Sequence, residues 1–146
     1  MEKITFDSGI KTYRINGAGV LRFNPGDPNV YARFLEAADK LQNIEDGLIA
    51  EAKTLPEADG AGVVRLLGKA DAEIKALLGW VFGQDNDFDK ILGGVNLLAI
   101  TDNGQRVVTN LMEALQPILT AGAECCAAEK VSAAVQKAKL RRGACL

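Results

Sequence analysis

The chain contains no histidine. That absence removes the commonest general base at neutral pH, every histidine-dependent triad and the zinc sites built on imidazole. Cysteine is scarce: Cys125 and Cys126 are adjacent and Cys145 stands near the end, an odd set without the spacing of a disulfide framework or a CxxC redox motif. All three are expected to be reduced. No apolar run approaches the roughly 20 residues of a membrane span, and Met1-Glu2-Lys3 leads into a polar segment with no apolar h-region. A cytosolic protein with no membrane partner follows from that reading. No Gly-x-x-x-x-Gly-Lys phosphate loop occurs, and none of the 19 carboxylates is set apart by its context. The expectation is a protein that is not an enzyme, with no catalytic residue, no metal site and no cofactor.

What is present is ordinary globular composition. At 146 residues, 48% hydrophobic and 25% charged, the chain has the size and make-up of a single domain, and its net charge of −2 gives no overall pull toward nucleic acid. Ile10–Ile15 and Val20–Phe23 are short β-prone runs separated by Asn16-Gly17-Ala18-Gly19, which reads as a hairpin. The same glycines do not make a dinucleotide loop, because that loop must open a helix and Val20-Leu21-Arg22-Phe23 reads as another strand.

The strongest pattern runs from Pro28 to Leu55. Val30, Phe34, Ala37, Leu41, Ile44, Leu48 and Leu55 form one helical stripe, with Asp27 placed to cap, Pro28 suited to the first turn and Pro56 closing the helix. Gly47 is the one interruption, costing about 1 kcal/mol relative to Ala in a helix interior, and allows a bend there. A second stripe, Val63, Leu67, Ala70, Ile74, Leu77 and Val81, predicts a helix over 62–82 with Asp59 or a neighbour as cap. The short polar connection Pro56–Ala61 makes the two an antiparallel helical hairpin. Either the stripes bury each other within one subunit, or part of the first stays available to another chain. In the second case Phe34, Leu41, Ile44 and Leu48 are the candidate interaction residues, with Phe34 and Leu41 nearest the hairpin, where fewer helices are expected to cover them.

Asp85, Asp87 and Asp89 alternate like a calcium loop, but Lys90 stands where that loop turns on Gly, and Asn96 where it needs a bidentate Glu. A solvated turn capping a short helix through Phe88, Ile91 and Leu92, ended by Gly93-Gly94, fits better. Val95–Ile100 reads equally as strand or buried turn. Asp102 and Gln105 have the spacing of a capping pair opening a helix, which Pro117 should kink or interrupt. Beyond Gly122 the chain is Ala-rich, and from Lys130 it carries Lys130, Lys137, Lys139, Arg141 and Arg142 with no acidic residue. Cations complement a helix C-terminus; a nucleic-acid contact is the minority reading, since no aromatics are interleaved there.

The order of hairpin, long helix beginning at Tyr31-Ala32-Arg33-Phe34-Leu35-Glu36-Ala37, then Trp80-Val81-Phe82-Gly83 and Phe88-Asp89-Lys90-Ile91-Leu92-Gly93-Gly94-Val95-Asn96, resembles that of tail assembly chaperones, small proteins encoded in the tail-gene clusters of bacteriophages and prophages. The resemblance covers residues 10–120 and rests on element order and the Phe-Gly … Ile-Leu-Gly-Gly-x-Asn pattern. It implies a chaperone-like protein of the bacterial host cytoplasm that binds the tape-measure protein during tail assembly. The chain departs from that pattern in its Cys-containing, basic C-terminus. The alternatives are a structural tail or head-tail component and, behind it, a DNA-binding accessory protein.

The expected fold class is α+β, mostly α: an N-terminal β-hairpin followed by a bundle of about four helices in a single domain, 1–146. Within it 1–26 is the hairpin arm, 27–122 the helical body and 123–146 the Ala-rich, basic end. An exposed hairpin edge and two long stripes in a small chain also predict a homo-oligomer.

Overall fold

The hairpin closes on Asn16 and Gly17, which both adopt positive φ, 50° and 77°, as a primed turn between right-twisted strands requires. The computed structural model describes residues 1–144, with side chains through residue 127. In it β1 (Lys11–Ile15) pairs antiparallel with β2 (Gly19–Phe23), Thr12 opposite Arg22 and Tyr13 opposite Leu21. Alternation puts Leu21 and Phe23 in the core and Arg22 in solvent. The hairpin is thus seated on the body; only residues 1–10, which carry no regular structure, form an arm.

Asp27 accepts the Asn29 N–H at 2.9 Å and opens α1 (Pro28–Lys53), which runs through Gly47 as one helix to a Thr54 C-cap. Asp59 accepts the Gly62 N–H and opens α2 (Gly60–Phe82). The helices are antiparallel: the Arg33 Nε–H donates to the Val81 carbonyl, Lys40 lies 3.7 Å from the centre of the Trp80 ring, and Glu51 pairs with Lys69 at 3.3 Å. Asp87, from the acidic alternation, caps the one-turn helix α3 (Phe88–Ile91) by accepting from Asp89 and Lys90. Gly93 and Gly94 follow at positive φ. The expected α+β, mostly α class, with a hairpin before four helices, is the observed one.

Two details around the last helix differ from expectation. Asp102 and Gln105 do not open it; they lie in a turn in which the Gly104 N–H donates to the Thr101 carbonyl and Ile100 bridges Arg106. Gly104, at φ 81°, permits that turn, and α4 (Val107–Ala144) begins beyond it. Its first amides are capped by backbone instead: Val107 donates to Ala99 and Val108 to Leu97, so Val95–Ile100 is a turn that buries Leu97 and Leu98 in the core and leaves Val95 and Ile100 exposed. Pro117 lies inside α4 without interrupting it. Leu115 and Leu119, fully packed on either side, hold the helix together across the missing N–H. Cys145, and the side chains of the basic stretch from Lys130 onward, lie outside the described part.

Candidate interaction surface

The chain has few aromatics and concentrates them. Phe82 contacts Phe23 at 4.9 Å, Phe88 at 5.8 Å and Phe34 at 6.5 Å between ring centres, and Tyr13 stacks on Phe23 at 5.0 Å. Four of the five phenylalanines therefore meet where hairpin, α1, α2 and α3 converge. This cluster reverses the expected location of an open surface on α1. The hairpin-proximal end is the covered one: Val30, Phe34 and Ala37 are buried, and Phe34, a candidate interaction residue, is core. Leu41, Ile44 and Leu48 are half-buried against the core, further from the hairpin.

The hydrogen bonds that fix this arrangement come from side chains whose roles are not visible in the sequence. Asn86 is 8% exposed, accepts the Arg22 N–H at 2.9 Å and donates to the carbonyls of Arg22 and Phe82. It occupies the outer edge of β2 as a further strand would. Lys75, on the buried side of α2, donates to Asp71 at 2.8 Å and to Asp89 at 2.6 Å, tying α2 to α3. Burial pulls its pKa down, but the hydrogen bonds and charges of the two carboxylates outweigh that and hold it above the ordinary lysine value. The anchor is structural, since its donors and acceptors satisfy one another.

Away from the aromatic cluster, α1 and α2 separate into a shallow groove of about 210 Å³. Ile44, Leu48 and Leu66 are its apolar walls, Gly47 and Ala70 its low points, and Lys69, Glu51 and Glu73 its charged margin. The groove exists because of residue size. Nothing lies within 4 Å of where a Gly47 side chain would begin, and Ala70 has only a methyl group to offer. Ile49, Val63 and Val64, outside the groove lining but near the adjoining ends of the two helices, are also exposed. Of the four sequence candidates the groove brings together Ile44 and Leu48. It leaves Leu41 outside its lining and Phe34 in the interior. Gly47, Leu66 and Ala70 were missed as lining, although a glycine interrupting an otherwise regular stripe was a signal that side-chain bulk is missing there.

No group of three or more metal-ligating side chains occurs among the described residues, and no described helix is long and apolar enough to cross a membrane. Compared with models of known families, with curated proteins and with solved structures, the chain matches none.

Proposed function

We propose that this protein is a non-enzymatic, chaperone-like binding protein of phage or prophage tail assembly, and that it holds a helical stretch of the tape-measure protein in the α1–α2 groove. The observation that carries the reading is the groove itself. It is an apolar trough between antiparallel helices, floored by Gly47 and Ala70 and margined by charge. A trough of that kind takes one apolar face of an amphipathic helix, and the charged margin gives it direction. Element order and the Phe-Gly … Ile-Leu-Gly-Gly-x-Asn pattern supply the tail-assembly context.

The test uses Gly47→Arg. The site has open space, so a long, helix-compatible side chain fills the groove without disturbing the core. Co-purification with the co-expressed tape-measure protein is expected to fall at least tenfold, roughly 1.4 kcal/mol or more of binding, with the melting temperature equal to or above that of the parent. Retained co-purification overturns the groove as the binding site. The second reading, a structural component of the particle, is favoured by one observation, the outer edge of β1, which no strand among the described residues pairs. Mass spectrometry of purified particles separates the two, since a chaperone is absent from them and a component is present.

A further inference from the structure

Four phenylalanines build the centre of the core; the fifth, Phe6, is 80% exposed. Ile4, two residues before it, is 88% exposed, and Met1 and Ile10 are exposed as well. In an extended segment, residues two apart share a face, so Ile4 and Phe6 form the apolar side of a strand-like arm, with Lys3, Thr5 and Asp7 opposite. The arm does not turn back over its own domain. Its elbow is fastened: the Ser8 carbonyl accepts from the Asn24 side chain at 3.0 Å, the Asp7 carboxylate accepts the Gly9 N–H at 2.8 Å, and Gly9 adopts φ 75°. A side chain at Gly9 would collide with Asn24. The elbow is thereby bound to the residue that follows β2, and none of residues 1–10 lines the trough beside β1.

The β1 edge is the complementary half. The Arg22 N–H and carbonyl point outward to Asn86, so the Thr12–Arg22 pair is a non-hydrogen-bonded one, and alternation turns the backbone groups of Thr12 and Arg14 outward on β1. The β2 edge is occupied by Asn86, whereas nothing among the described residues occupies the β1 edge. Beside β1, between the hairpin and α4, lies a trough of about 550 Å³ whose walls include Tyr13, Ile15, Leu92, Leu111 and Ile118. Arm and edge also match in length. Residues 2–7 extended reach about 20 Å, and the five residues of β1 about 16 Å.

We propose that the arm of one copy adds as a strand to the free β1 edge of a second copy, placing Ile4 and Phe6 in the trough between the hairpin and α4, and that the exchange is reciprocal. The occupant is a second copy because one chain carries both halves, an apolar strand held away from its own edge and an unpaired edge beside an apolar trough. Backbone hydrogen bonds supply the pairing, and alternate side chains supply the selectivity. The exchange removes from water two of the most exposed large apolar side chains among the described residues, Ile4 and Phe6, and covers the β1 edge.

Light scattering after size exclusion tests this on the full chain, a chain lacking residues 1–7, and Phe6→Asp. The full chain is expected at the dimer mass across the micromolar range, and both variants at the monomer mass with the parent's circular dichroism spectrum, because the arm contributes nothing to the core. A fluorescently labelled peptide of residues 1–9 is expected to bind the truncated chain, and Leu111→Arg in the trough to weaken it at least tenfold. A full chain that stays monomeric, a truncated chain that keeps the full chain's oligomeric state, or peptide binding indifferent to Leu111→Arg overturns the proposal.

Discussion

Asp71→Ala is expected to destabilise the fold by about 4 kcal/mol, because removing one partner from a buried ion pair strands the other; for a chain of this length that is a drop in Tm of roughly 10 °C. The carboxylate serves two elements at once. Its Oδ1 accepts the Leu97 N–H at 2.7 Å, fixing the turn that caps α4, while its Oδ2 accepts from Lys75. The Lys75 side chain is 8% exposed and that of Asp71 15%, whereas Asp89 is 64% exposed. Without Asp71 the ammonium keeps only the carboxylate that water already screens, and the Leu97 amide loses its acceptor. Asp71→Asn retains an acceptor for Leu97 and should recover about 1 kcal/mol, the usual net worth of one hydrogen bond.

The same anchor sets a pH dependence of known sign. Lys75 has a folded pKa above its unfolded value, so its contribution is complete below the unfolded lysine pKa of about 10.4 and is lost as pH rises through the folded value. Thermal melts of the parent and of Lys75→Met should therefore run parallel from neutral pH to the unfolded lysine value and converge above it. A gap that persists unchanged at the most alkaline pH would remove the ammonium from the account.

The sequence made the elements legible and the open surface illegible, for a physical reason. Helical stripes, Asp27, Asp59, Pro28 and the Asn16-Gly17 turn are local signals, and each element they announced is present with its cap. Which part of α1 is covered depends on where the hairpin lands, and that is decided by Phe23 meeting Phe82 some 59 residues away. By spacing alone Asp71 and Lys75 are an i,i+4 pair, which on a helix surface is worth a few tenths of a kcal/mol. Only the packing of the Leu97 turn and α3 over them makes them an interior anchor. Asn86 was hidden in the same way, because between two aspartates it looked like part of a solvated turn. The start of α4 was misplaced since Asp102 and Gln105 have cap spacing, while the actual caps are carbonyls of residues a sequence cannot mark as acceptors.

Gly122→Ala is expected to cost about 3 kcal/mol, at the upper end of what overpacking usually costs, although alanine is the better helix former by about 1 kcal/mol. A Cβ at Gly122 would run into the Pro25 carbonyl and the neighbouring Gly26 backbone. Backbone on both sides means that no side chain can rotate away; α4 must lift off the corner joining β2 to α1. That corner is fixed by the Gly26 N–H donating to Asn24 at 2.8 Å and by the Asp27 cap, so it yields little. Lifting α4 also loosens Ile118, which lines the trough beside β1, and Leu119, which is fully buried. The control is Gly68→Ala on the exposed side of α2, where nothing lies within 4 Å. There the helix preference acts alone, and Gly68→Ala should raise stability by about 0.5–1 kcal/mol. Paired denaturant titrations read both. If Gly122→Ala were as stable as Gly68→Ala, α4 would not be seated backbone to backbone on the Pro25-Gly26 corner.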